Sequence, residues 1–314
     1  MSIDRVATST QTAFFLNHIQ TAGHALDKTQ EKIASGKNAN TYAGFGDRAQ
    51  VLTATIAANA RNAAYANATE FAVTQTEMQD TQLTSLAALA AQLKKSVSDA
   101  VVNNDGSTLM AQVQSIFDQA SAILNSKDSN GAYIYSGAKT DTAPVTVNSL
   151  AALQALPSVA NAFANGDIKK SVQVGDGVTV AYGITASDIG TGLMQALKDI
   201  TNYDLGSSFA AGPGLDAGQT TFLTNAIATT VNVAIDLNAA TAANGYVANR
   251  LSDAQTQQTS MSTLYKGFVS NIQDTDMADA ATQLSLNQTQ LQAALQVTAG
   301  LHQLSLLNFI GSGG

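Results

Sequence analysis

The stretch from residue 247 to residue 272, VANRLSDAQTQQTSMSTLYKGFVSNI, decides the fold. Most of its residues are polar or charged, yet Val247, Leu251, Ala254, Met261, Tyr265, Phe268 and Ile272 fall on positions of a four-three repeat. Side chains spaced this way share one stripe of a helix, so the pattern predicts a long helix with a narrow apolar seam, Leu251, Met261, Tyr265, Phe268 and Ile272 forming its rod-like part. Such a helix is marginal in water until another helix covers the seam. The partner is either a helix of the same chain or one from a neighbouring copy.

Working outward, the chain is unevenly punctuated. All three prolines (Pro144, Pro157, Pro213) and 12 of the 23 glycines fall in the middle, between Gly131 and Gly218. Both flanks are proline-free and rich in Ala, Leu and Gln, which suits long helices. In the N-terminal flank Thr12, Phe15, Ile19, Ala22, Leu26, Thr29 and Ile33 repeat at three-four spacing, and Ser35-Gly36 supplies a helix stop. A second helix is predicted from about Arg48 to Val102. Its stripe fades to Asn59, Ala63, Glu70 and Glu77 before Leu86, Leu89, Leu93 and Val97 restore it. After the turn Asn103-Asn104-Asp105-Gly106, Ser107 is placed to cap a third helix that turns Leu109, Val113, Ile116, Ala120 and Ile123 inward.

The middle contains an expected hairpin, SVQVGDGVTVAYGI, flanked by short helices near residues 149–163 and 187–202. Helix returns over residues 222–237 and 239–271, the two segments expected to join without a full break. A last helix starts at Asp274-Thr275-Asp276, whose oxygens suit a helix N-terminus, and carries Leu284, Leu291, Leu295, Leu304 and Leu307 as apolar content. The fold class expected from this pattern is mainly α: a long helical coiled-coil rod formed by the N- and C-terminal segments, with a small α+β central domain.

Composition narrows the function. Charged residues make up 12% of the 314, about half the usual share for soluble domains, and Gln, Asn, Thr and Ser replace them. A polar, sparsely charged surface suits contact with other protein. Aromatic residues reach only 6% with no Trp, so the core per residue is thin. The net charge of −8 and the lack of a basic cluster make nucleic acid and anionic membranes poor partners. No cysteine is present, which excludes disulfides, thiolate nucleophiles and zinc-cysteine sites. The N-terminus has neither the cationic lead nor the apolar run of a Sec signal peptide, and no run of about 18 apolar residues suggests a membrane span.

Catalytic and cofactor chemistry is not expected. His18, His24 and His302 lack metal-ligand spacing, and Asp274, Asp276 and Asp279 lack the further ligands and glycine of a calcium loop. Gly44-Phe45-Gly46 and Gly175-Asp176-Gly177 lack the lysine of a phosphate loop, and Ser136-Gly137 has no nucleophile-elbow frame. No enzyme activity, metal or cofactor follows from this sequence.

Four stretches resemble a known family. SGKNANTYAG (35–44) and IQDTDMADA (272–280) are similar to the stretches that bacterial flagellins carry near their two ends. YIYSGAKTDTAPV (133–145) and LHQLSLLNFI (301–310) resemble the hook-associated protein 3 branch of the same superfamily. The chain departs from the family's pattern at Gly44-Phe45-Gly46-Asp47-Arg48, and residues 86–96 lack the segment that innate immune receptors read in many flagellins.

The resemblance implies a self-assembling subunit of the bacterial flagellum, a hook–filament junction protein or a filament flagellin serving motility. Its expected parts are an assembly helix over 1–44, rod halves over 45–137 and 219–271, an outer α+β domain over 138–218 and an assembly helix over 272–314. Phe15, Ile19, Leu26, Ile33, Leu284, Leu291, Leu295, Leu304 and Leu307 are the expected assembly interface. Implied partners are further copies of the chain or other axial proteins (hook-associated proteins, flagellin), together with an export chaperone. The implied location is extracellular, in the flagellum, after unfolded export by the flagellar type III pathway. The alternative is a secreted adhesin or polysaccharide-binding protein whose helical stalk presents the middle segment.

Overall fold

The computed structural model describes residues 3–212 and 214–311, with side chains described for residue 10 and for residues 13–212 and 214–300. Seven α-helices occur in this part of the chain: α1 (Ile3–Ser35), α2 (Ala49–Asn103), α3 (Leu109–Leu124), α4 (Leu150–Ala155), α5 (Ala186–Gly206), α6 (Ala217–Gln273) and α7 (Met277–Gly311). The fold is mainly α, and a two-stranded antiparallel hairpin, β1 (Ser171–Gly175) with β2 (Val178–Ala181), is its sheet. The chain forms two compact units, residues 62–260 and residues 1–61 with 261–314.

The first of these units holds the main core. Leu83, Leu86, Leu93 and Val97 of α2 are fully buried with Val113, Ile116, Ala120 and Leu124 of α3. Ile189, Leu193, Leu197 and Ile200 of α5 and Leu223, Val233 and Leu237 of α6 complete the cluster. Each large apolar side chain removed from water here contributes about 1.5–3 kcal/mol. Asn104, in the left-handed region at φ 52°, turns the chain between α2 and α3. Thr108 rather than Ser107 precedes α3, and Asp105 accepts from the Ser107 amide at 2.9 Å.

The α2 stripe does not fade where the spacing places it. Ala63, Glu70 and Glu77 are exposed, and the buried line runs one position away through Thr69, Thr76 and Leu83, with Asn62 half-buried. Periodicity weighted by hydrophobicity misses it because its members are polar. They are held in place by hydrogen bonds: Asn62 Nδ2 donates to the Gln258 carbonyl at 2.8 Å, Gln258 Nε2 to Thr69 Oγ1 at 2.9 Å, and Asn244 Nδ2 to the Thr76 carbonyl at 2.8 Å. These pairs make α2 and α6 antiparallel. The helical segments expected over 222–237 and 239–271 join without a break in α6, as their sequence suggests.

The hairpin lies on this polar stretch. Val172, Val180 and Tyr182 form a small cluster with Ala72 and Leu251. Gln258 Nε2 also donates to the Val174 carbonyl at 2.8 Å, and Tyr65 donates to Asp176 Oδ1 at 2.7 Å. The stretch YIYSG threads behind: Tyr135 is fully buried, and Gly137, at φ 64°, sits where a Cβ would lie 2.5 Å from the Gly166 carbonyl oxygen. Only glycine fits there.

Candidate assembly interface

In the unit made by the two ends of the chain, α1 and α7 run antiparallel with closely spaced backbones. Along α1, Phe15, Ile19, Ala22, Leu26 and Ile33 are half-buried, and Thr29 is buried. Along α7, Ala280 is buried, while Leu284, Asn287, Leu291, Ala294 and Thr298 are half-buried at alternating spacings of four and three. Small residues at these positions permit the close approach. Asn287 Nδ2 donates to the Ala25 carbonyl at 3.2 Å and to Thr29 Oγ1 at 2.9 Å, fixing the pair where apolar contact is thin.

Both helices begin or end at one joint. Gly36, at φ 68°, ends α1, and its carbonyl accepts from the Thr275 amide at 2.9 Å. The Asn38 amide donates to the Gln273 carbonyl at 2.8 Å, and its side-chain Nδ2 donates to the carbonyls of Ile272 (3.3 Å) and Asp274 (2.7 Å). Thr275 Oγ1 donates back to Asn38 Oδ1 at 2.9 Å. Asp276 Oδ1 then caps α7 by accepting from the amides of Ala278 (2.9 Å) and Asp279 (3.3 Å). Asp274 accepts from Ser270, and Asp279 from Gln283, so these acidic oxygens are engaged in helix-end bonds. Among the described residues, no group of three or more His, Cys, Asp or Glu is placed to hold a metal.

Apolar area remains uncovered. Phe14 is 58% exposed and Leu16 52% on α1, beside the residues that face α7. On α7 Leu286, Leu295 and Val297 are about half exposed, and so are Leu264 and Phe268 near the end of α6. Among the described side chains of α1 and α7, Thr29 and Ala280 are the buried ones. A helix pair with this little covered area is marginal on its own.

The residues named from the sequence are placed as follows. Phe15, Ile19, Leu26, Ile33, Leu284 and Leu291 come together in the α1–α7 pair, and Leu295 lies off that line with half its surface free. Leu304, Leu307 and His302 lie outside the described side chains. On α6 Leu251 is buried, and Met261, Tyr265 and Ile272 are half-buried. Phe268, put on the seam by its spacing, is exposed instead, because the seam's phase passes through Gln258 and Val269. Asn38, Thr275 and Asn287, which hold the ends together, carry no apolar signal and were not singled out by periodicity. Asn38 and Thr275 lie in the two stretches, 35–44 and 272–280, that resemble flagellins.

Residues 227–310 match the family model of the bacterial flagellin C-terminal helical region. In this region the chain is flagellin-like. The flagellin-like chain shares its fold with solved flagellar proteins at low identity. A Vibrio parahaemolyticus protein described as a flagellar hook-associated protein is 19% identical, with a TM-score of 0.57 over 72% of this chain and 97% of its own. FlgL of Bacillus cereus is 12% identical, with a TM-score of 0.52 over 69% of this chain and 98% of its own. Flagellar hook-associated protein 3 of Legionella pneumophila is 10% identical, with a TM-score of 0.57 over 71% and 98%. A comparison with curated proteins returns no match.

Proposed function

We propose that this flagellin-like chain is a structural subunit of the bacterial flagellum, positioned at the hook–filament junction. The observation that carries this reading is the joint at the base of α1 and α7. There the two end stretches that resemble flagellins, 35–44 and 272–280, meet and hydrogen-bond. They set up a helix pair whose outer faces keep Phe14, Leu16, Leu286 and Val297 in solvent. Exposed apolar faces of that extent on paired helices fit packing against neighbouring subunits. Phe15, Ile19, Leu26, Ile33, Leu284, Leu291, Leu295, Leu304 and Leu307 act in that assembly, and residues 138–218 serve as the outer domain.

The junction position is supported by YIYSG, which is similar to the hook-associated branch, and by the fold shared with hook-associated proteins. A filament flagellin is the second reading, favoured by the family model that residues 227–310 match. In both readings the subunit is exported unfolded by the flagellar type III pathway with a chaperone, and its partners are copies of itself or other axial proteins. Electron microscopy of a strain lacking this chain is the test. Detached filaments in the medium support the junction, and hooks with no filament protein support the flagellin. Normal attached filaments overturn both readings.

A further inference from the structure

In residues 62–260, the seam between α2 and α6 changes chemistry partway along. Leu83, Leu86, Leu93 and Val97 of α2 are fully buried among apolar partners. In the preceding segment, TQTEMQDTQ (74–82), Gln75, Gln79 and Gln82 take inward positions at spacings of four and three. Gln79 is fully buried, and neither its Oε1 nor its Nε2 has a hydrogen-bonding partner in the protein. Oε1 of Gln75 and of Gln82 are buried without partners as well. On α6, Asn244 at the level of Thr76 and Gln258 at the level of Thr69 use their amide nitrogens, while their Oδ1 and Oε1 are buried without a partner in the protein.

Taking an amide from water into the seam gains at most about 0.5–1.5 kcal/mol for each hydrogen bond it makes with protein, less than the roughly 1.5–3 kcal/mol of a buried leucine, so this stretch of the seam is held more weakly than the leucine-packed one. The same segment is nonetheless specific. Asn62, Asn244 and Gln258 each donate to one acceptor on the facing helix, in one register. Specific pairing with little net stabilisation is what a segment needs in order to open easily and reclose correctly.

We propose that residues 62–82 of α2 and 241–258 of α6 form an opening segment, which separates before the leucine-packed core does. Opening requires the hairpin to lift, breaking the bonds from Gln258 to Val174 and from Tyr65 to Asp176 and uncovering the five-residue cluster around Leu251, and it also breaks the bond from Gln75 Nε2 to Asp128 at 3.1 Å. That cluster is small beside the main core, so the polar segment remains the weaker one. The consequence for export, where the helices of a threaded chain must separate, rests on the proposed flagellar role. The opening itself does not.

Hydrogen exchange of the full chain under native conditions tests the inference. Amides in 62–82 and 241–258 are expected to exchange at least about tenfold faster than those in 86–97 and 223–237, through an opening that leaves the latter protected. Equal rates through a common global opening overturn it. Gln79→Met, which keeps the side-chain length and removes the unpaired amide, is expected to slow exchange of the segment about tenfold, the counterpart of about 1.4 kcal/mol. Unchanged or faster exchange in Gln79→Met overturns it too. Failure of the chain to join a flagellum, with the exchange pattern intact, removes the functional reading and leaves this one standing.

Discussion

Thr275 donates its hydroxyl to the side-chain carbonyl of Asn38 at 2.9 Å, joining two residues 237 positions apart in sequence. Asn38 meanwhile donates to the backbone of Ile272 and Asp274, so one side chain ties the end of α1 to the start of α7. Asn38→Ala is expected to lower the stability of this joint by about 1–3 kcal/mol, since each hydrogen bond contributes about 0.5–1.5. Amide exchange at Asn38 and Thr275 reads it. Asn40→Ala, which removes only an exposed bond to Glu31, is expected to stay within about 0.5 kcal/mol.

Two glycines in one loop separate backbone strain from steric exclusion. Gly131 and Gly137 both have positive φ, but a Cβ at Gly131 meets open space, whereas one at Gly137 meets two carbonyl oxygens within 3 Å. Gly131→Ala should cost about 1 kcal/mol, and Gly137→Ala clearly more, in chemical denaturation. Equal costs would show that the Gly137 loop moves aside freely.

Core and assembly substitutions should part company. Leu93→Ala removes a fully buried side chain and is expected to cost about 2–5 kcal/mol. Leu286→Ser changes a side chain that is 55% exposed and should alter the stability of the isolated chain by no more than about 0.5 kcal/mol. Its expected effect is on assembly: sedimentation of subunits with axial partners should fall sharply while the melting curve stays put.

Asp188 gives the fold a dependence on acid. Burial pushes its carboxyl up, but hydrogen bonds from Lys169 and Thr185 and the Lys169 charge outweigh it and hold the pKa below the ordinary carboxylate value. With the folded pKa below the unfolded one, the contribution is complete above the unfolded value of about 3.9 and fades as pH falls through the lower folded value. Urea midpoints measured from pH 6 down to pH 2 should therefore fall more steeply for the wild type than for Asp188→Asn. That variant also weakens the capping box at Thr185, so its midpoint starts lower.

What the sequence made legible was the part governed by apolar periodicity and by turn residues. The α1 stripe from Phe15 to Ile33, the stop at Gly36, the hairpin around Gly177 and the start of α7 all follow from such signals. What escaped was polar. Asn62, Thr69 and Thr76 are inward-facing, yet hydropathy gives them no weight, so apolar spacing places the α2 stripe on Ala63, Glu70 and Glu77 on the solvent side. Spacing places Phe268 inward for the opposite reason, because a large aromatic in the four-three repeat outweighs Val269 beside it. Asn38 and Asn287 act through hydrogen bonds to residues more than 230 positions away, which no local pattern encodes.

How firmly α1 and α7 hold together in a single chain decides whether the pair is self-sufficient or is completed by neighbouring subunits. Amide exchange of the purified protein at high dilution measures it. The thin cover over this pair predicts that amides of α1 and α7 exchange far faster than those of α3 and α5, and slow down once subunits are packed together. Protection of α1 and α7 equal to that of α3 and α5 in the dilute chain would contradict it.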